Sequence, residues 1–189
     1  MPRVITGEFK GAVLFAPKGD NTRPTTDKVK EALFSMIQTR IYEARVLDIF
    51  SGTGQIGIEA VSRGASEAVL IEKAGQAAGI IRKNLEKIRA DHDDRFSLMK
   101  MPYSTALEKL GEAGKKFDII FMDPPYKIAH ESAMQIADLI NEYDLLADDG
   151  IVIVEHASDT DFDTSVINLQ FNRSCCYGLS VLTFFCKDI

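Results

Sequence analysis

A chain of 189 residues with 46% hydrophobic and 26% charged side chains has an ordinary globular composition and the length of one domain. A domain of that size buries roughly 70% of the surface its unfolded chain exposes, so neither disulfide nor metal is needed to fold it. No apolar run approaches the ~20 residues of a membrane span, and Met1 to Gly7 lack a signal-peptide core. The expectation is a cytoplasmic protein with no membrane partner and a single domain over 1–189, in which 1–22 form an N-terminal β-hairpin extension. The net charge of −6 is unevenly placed: residues 1–30 carry six cations against three acids, a net of +3, which leaves −9 for the rest. A basic arm on an acidic body suits a polyanion approached from one side.

In chain order, Val4 to Phe15 read as two short strands around a turn. The loop Asn21-Thr22-Arg23-Pro24-Thr25-Thr26-Asp27 follows, with threonines placed to cap a helix reaching about Arg40. From residue 44 short apolar runs alternate with helical patterns: strands at 45–50, 67–72, 96–101, 117–122 and 150–155, and helices at 55–63, 75–90, 103–112 and 130–143. Such alternation predicts a parallel sheet with helices on both faces. In the longest helix Ile80, Ile81, Leu85 and Ile88 form a stripe facing the sheet, while Arg82, Lys83, Glu86 and Lys87 stay wet. Two late strand-like runs, 169–176 and 179–186, flank Tyr177-Gly178, a tight hairpin turn that makes the sheet mixed. Cys175, Cys176 and Cys186 have no zinc-like spacing and read as small buried hydrophobes in a reducing compartment. No metal site is expected.

Two strand ends carry the chemistry. Gly52-Thr53-Gly54-Gln55-Ile56-Gly57 matches GxGxxG between a strand and a helix, with Glu72 twenty residues after Gly52. Glycines admit a cofactor close to the backbone, and the carboxylate accepts ribose hydroxyls. The pattern alone fits a dinucleotide or S-adenosylmethionine equally. Asp48 shifts the balance, because an acid at that strand end repels a pyrophosphate and attracts the ammonium of a methionine moiety. Ser51 and Thr53 add polar contacts in the turn. Asp123-Pro124-Pro125-Tyr126 ends the strand at 117–122. Asp123 and the Pro124 carbonyl are placed to accept both N–H bonds of a planar amine, favouring a more nucleophilic nitrogen. The two prolines hold the turn rigid, and Tyr126 stacks on the base for ~1–3 kcal/mol. A base inside a duplex must be flipped out to reach this clamp. Lys10 and Arg23 in the basic segment are candidate substrate-binding side chains. His92 lies in an Asp-rich turn and reads as solvated; His130 and His156 follow strand ends, with the cleft wall as their secondary reading.

Arg23-Pro24-Thr25-Thr26-Asp27-Lys28-Val29-Lys30-Glu31-Ala32-Leu33-Phe34, then Leu47 to Gly54, then Asp123-Pro124-Pro125-Tyr126 resemble the RsmD-type methyltransferases, as do the Gly7–Gly11 start and the terminal hairpin. The resemblance implies an α/β class I methyltransferase (Rossmann-like) fold, a seven-stranded sheet with a C-terminal antiparallel hairpin. It implies methyl transfer from S-adenosylmethionine to guanine N2 of 16S ribosomal RNA, within the small ribosomal subunit or an assembly intermediate. By motif, Asp48, Gly52 and Gly54 line the methionine end, Glu72 holds the ribose, and Asp123, Pro124 and Tyr126 grip the base. Where such enzymes place an acid or amide near the adenine, this chain has Met101-Pro102-Tyr103-Ser104, leaving the Tyr103 amide or Ser104 hydroxyl as substitutes. The alternatives are methylation of adenine N6 in DNA or of a protein glutamine, a nicotinamide oxidoreductase, and a non-catalytic S-adenosylmethionine- or RNA-binding protein.

Overall fold

In the computed structural model, which describes residues 1–17, 26–125 and 128–187, one seven-stranded sheet organises the chain. Its strands are β1 (Arg45–Ile49), β2 (Glu67–Ile71), β3 (Phe96–Met99), β4 (Phe117–Met122), β5 (Leu146–Ala157), β6 (Gln170–Tyr177) and β7 (Ser180–Cys186), in the order β3-β2-β1-β4-β5-β7-β6. β1 to β5 pair in parallel, while β7 runs antiparallel between β5 and β6. The helices are α1 (Asp27–Met36), α2 (Gln55–Ser62), α3 (Gly75–Lys87), α4 (Tyr103–Glu112) and α5 (Ala129–Glu142). Among the described residues no helix is long and apolar enough to cross a membrane.

The near-continuous apolar strands follow from burial on both faces. Leu47, Ile49, Ile120 and Met122 pack with Leu107 and Ile136 of α4 and α5. Val46, Ile119 and Phe121 pack on the opposite face with Leu33 of α1 and Ile56 of α2. Each such side chain contributes about 1.5–3 kcal/mol by leaving water. Ile81 of α3 joins Leu70 of β2, Ile58 of α2, and Val4 and Leu14 of the N-terminal arm. Gly57 permits α2 to lie this close to β2, since a Cβ there would sit 2.2 Å from Leu70.

Several elements differ from expectation. α1 ends at Met36, short of Arg40, and β3 ends at Met99. β5 begins at Leu146, before the expected residue 150, because Leu146 pairs with Phe117 across a register shift in β4. In α3, Ile81 and Leu85 are buried as expected, but Ile80 and Ile88 are only partly so and Asn84 is fully buried. The cysteines are free and none is buried; Cys176 is exposed because β6 forms the sheet edge.

The arm is the largest difference. Its two segments pair through one antiparallel bridge, Arg3 with Val13, rather than as two full strands. Cross-segment backbone hydrogen bonds run from Val4 N to Ala12 O, Gly11 N to Val4 O and Leu14 N to Pro2 O, with Lys10 N bonded to Gly7 O and Ala12 N to Phe9 O in the turn. Other amides of the arm turn toward the helices. Glu59 of α2 accepts from Ile5 N (2.7 Å) and Thr6 N (3.0 Å), Ser62 Oγ accepts from Phe9 N (2.9 Å), and Asn84 Oδ1 accepts from Phe15 N (2.7 Å). Gly7, at φ +89°, lies so close to α2 that a Cβ would stand 1.6 Å from Ser62 O. Glu59 also pairs with Arg63 (2.7 Å) and with the fully buried Lys30 of α1 (3.6 Å), whose Nζ donates to Arg3 O. Burial holds the Lys30 ammonium below its ordinary pKa, against the attraction of Glu59.

Removing one partner of such a network leaves a buried charge and orphaned amides. Glu59→Ala is expected to lower unfolding stability by roughly 3–5 kcal/mol, measured by urea titration. Asp118→Ala, which opens the half-exposed pair with Arg45, is expected to cost less than ~1 kcal/mol.

Candidate active site

The order of strands reverses between β1 and β4, and ligands of open α/β sheets bind outside the carboxyl ends of strands at such a point. A cavity of about 700 Å³ opens there, within the size range of small-molecule sites. Its wall runs from the β1–α2 turn (Phe50 to Thr53) past Glu72 and Lys73 at the end of β2 to Tyr103 of α4. It continues through Asp123, Pro124 and Pro125 after β4 to Glu131, Ser132 and Gln135 of α5.

The β1–α2 turn is built on unusual backbone. Phe50, Gly52 and Gly54 have φ of 65°, 56° and 76°, a region costly for a phenylalanine. Phe50 stays there with its ring on the cavity wall, edge-on to Tyr103 at 5.4 Å between centroids. Ser51 ties the turn to both neighbouring strands, its Oγ donating to Asp48 O (2.6 Å) and Ile71 O (3.2 Å) and its amide to Ile71 O (3.0 Å). Gly54 is off the cavity wall and caps α2, where a Cβ would meet Ile81 at 3.3 Å. Glu72 accepts from Gly52 N (3.0 Å) and Ala74 N (2.8 Å), which fixes both carboxylate oxygens at the cavity edge. Each oxygen keeps a lone pair for a hydroxyl donor.

Acids crowd the centre. Asp48 is fully buried and, among the described residues, is hydrogen-bonded by Gly57 N (3.2 Å). Burial pushes its pKa up to about 7, with a smaller push from Glu72 and opposition from the Gly57 amide. Asp123 stands half-buried on the cavity wall, and desolvation, then Glu155, then Asp48 hold its carboxyl well above the usual range. Glu155 is itself buried on β5. A site lined this way favours a cationic ligand, which relieves both carboxylates.

Of the sequence candidates, Asp48, Ser51, Gly52, Thr53, Glu72, Tyr103, Asp123, Pro124 and Pro125 meet on this wall. Arg23 and Tyr126 lie outside the described residues. Lys10 is exposed on the arm's turn, docked at the Ser62 end of α2, the opposite end from the cavity. The Tyr103 hydroxyl donates to Gln135 Oε1 (2.7 Å), tying α4 to α5 across the cavity. His130 and His156 do not line it: they flank Phe162, His156 stacked at 4.1 Å and bonded to Thr183 Oγ1 (2.9 Å), His130 edge-on at 5.6 Å. His92 is exposed beside Asp91. The residues missed in the sequence are Phe50, Pro17, Lys73 and the first turns of α5. The last had a signal, since a helix that starts just after the Asp-Pro-Pro turn must rim the same cavity.

The model of a family described as Conserved hypothetical protein 95 matches residues 2–186. "Putative rRNA methyltransferase YlbH" of Bacillus subtilis is 35% identical over 185 residues, 98% of each chain. "Ribosomal RNA small subunit methyltransferase D" of Escherichia coli K12 is 32% identical over 171 residues, 90% of this chain and 82% of that one. Among solved structures, "Putative methyltransferase yhhF from Escherichia coli" superposes with a TM-score of 0.82 at 28% identity, covering 98% of this chain and 97% of that one. The expected α/β architecture, with its mixed sheet and terminal hairpin, is thus the fold of these proteins.

The raised Asp48 carboxyl has a measurable consequence. Between about pH 4 and pH 7 the ligand-free folded chain holds a proton that the unfolded chain has shed, so stability falls as pH rises through that window. Asp48→Asn removes this loss. Its melting temperature is expected to fall less steeply than the wild type's from pH 5 to 8, and equal slopes would contradict the burial argument.

Proposed function

The chain belongs to the Conserved hypothetical protein 95 family, the RsmD-type methyltransferases, and on that premise we propose that it methylates the exocyclic N2 of a guanine in small-subunit ribosomal RNA, using S-adenosylmethionine. The observation that carries this reading is the pair of carboxylates with raised pKa, the buried Asp48 and the half-buried Asp123, at adjacent strand ends around one cavity. A cofactor bearing an ammonium and a sulfonium matches those charges. A nicotinamide dinucleotide would bring its pyrophosphate against them.

The residues present fit that cofactor. Asp48 would hold its ammonium and Glu72 its ribose hydroxyls, with Phe50 and Tyr103 as flat apolar walls beyond. Bound there, it would supply an activated methyl group on a cationic sulfur. The chain's own work lies on the other side of the cavity. Asp123 and the Pro124 carbonyl accept the two amine hydrogens and hold the nitrogen lone pair toward the methyl group, so positioning carries much of the rate. A methylated nitrogen must shed a proton, and the Asp123 carboxylate would accept it. Its raised pKa makes it a better acceptor than an ordinary carboxylate. Tyr126 is the proposed stacking partner of the flipped base. The setting is cytoplasmic, on a small ribosomal subunit or its assembly intermediate, and the chain acts as one domain with the arm as an extension.

Incubation with methyl-labelled cofactor and small subunits from cells lacking the gene is expected to yield N2-methylguanine in the RNA. Asp123→Ala is expected to reduce turnover at least ~100-fold with cofactor affinity within a few-fold of wild type. Label found only in DNA or protein would overturn the substrate, and normal turnover in the variant would overturn the clamp.

A further inference from the structure

The cavity takes one nucleotide, yet the RNA on either side of it must also lie on the protein. The body is acidic as a whole, so the path of the strand depends on where cations stand unpaired beside the cavity mouth. One such place exists. Lys73 lines the mouth and is exposed. The outer face of α3, which begins two residues later, carries Arg82, Lys83 and Lys87 against Glu86 alone. Lys83 and Lys87 are one helical turn apart on this face, where like charges repel each other. Neither forms an ion pair among the described residues.

An aromatic ring stands beside them. Phe15 is 41% exposed although it follows the fully buried Leu14, and Lys87 Nζ lies 4.5 Å from its ring centroid. Its backbone is clamped: Phe15 N donates to Asn84 Oδ1 (2.7 Å), and Asn84 Nδ2 donates to Phe15 O (3.2 Å). Asn84, fully buried, also donates to Thr53 O (2.9 Å) in the turn that lines the cavity. Two residues on, Pro17 is part of the cavity wall, which puts Phe15 within about 7 Å of the mouth along the chain. A rigidly held, exposed aromatic with a lysine beside it and a second lysine one helical turn away is the combination that binds single-stranded nucleic acid, bases stacking on the ring and phosphates on the cations.

We infer that RNA flanking the target guanine docks along α3 and the end of the arm, with Phe15 as a stacking platform and Lys83 and Lys87 as phosphate contacts. This rests on the RNA-methylation reading above. Asn84 is the positioning residue that holds the platform in register with the cofactor turn. Lys10, at the other end of the arm, is outside this path.

The test is steady-state methylation of unmethylated small ribosomal subunits by wild type, Phe15→Ala, Lys83→Gln/Lys87→Gln and, as a charge control on the opposite sheet face, Lys109→Gln. Phe15→Ala is expected to raise KM for the subunits about tenfold with kcat and cofactor Kd unchanged. For the double variant, the dependence of log Kd on log salt, read with a fluorescent single-stranded RNA, should flatten by about 1.4, since each phosphate contact contributes about 0.7. Lys109→Gln should match wild type in both. Because all the altered side chains are exposed, unchanged melting temperatures separate docking from misfolding. A wild-type KM and salt slope in the variants would overturn the docking path while leaving the RNA-methylation reading intact. Absence of RNA methylation by the wild-type protein would overturn that reading, and the docking path with it.

Discussion

Two carboxylates at adjacent strand ends, Asp48 buried and Asp123 half-buried on the cavity wall, set the terms for this molecule. β1 and β4 are neighbours in register, Ile49 beside Met122, so Asp48, one residue before Ile49, and Asp123, one residue after Met122, open on one cavity. Neither has a cation within the described protein to balance it, and burial raises both pKa values. Burying an acid without a paired charge costs stability, and a fold selected for stability alone would place an apolar residue at Asp48. The cost is consistent with a site completed by a positively charged ligand. The left-handed backbone at Phe50, the glycines beside it and the clamped Glu72 bring main chain and a further acid to the edge of the same cavity.

The same turn is fastened from behind. Asn84 reaches from α3 to Thr53 and to Phe15, and Glu59 reaches from α2 to the start of the arm. These buried polar side chains convert a segment with a single β-bridge into a fixed edge of the site. Their network joins the helix that follows the cofactor turn to the segment that ends at the cavity mouth. An arm attached only by apolar contacts would hold Phe15 less strictly relative to Thr53.

What was legible in the sequence divides along physical lines. The parallel strands, the helices between them and the hairpin around Gly178 were readable because apolar runs and turn residues are local signals. That Asp48, Gly52, Glu72 and Asp123 share one cavity wall was legible because each stands at or just beyond a strand end. The arm's two segments do pair around a turn, at the Arg3–Val13 bridge, but the extent of that pairing was not legible. Several of its amides are satisfied by Glu59, Ser62 and Asn84, more than fifty residues away, and no local pattern announces such partners. Cys176 was misread as buried because strand propensity does not say which strand forms the sheet edge. The α5 wall, Ser132 and Gln135, carries no motif, and its one sequence signal is positional, a helix starting just after the Asp-Pro-Pro turn.

The central claim is that a cation seats against Asp48 and drives off its proton. Calorimetric titration with S-adenosylmethionine in buffers of different ionisation enthalpy reads that proton directly. Near pH 6.5, just below the ligand-free pKa of about 7, binding is predicted to release a large fraction of a proton. The release should shrink above pH 8 and fall markedly in Asp48→Asn. Binding of equal affinity with no proton released at pH 6.5 would contradict the account.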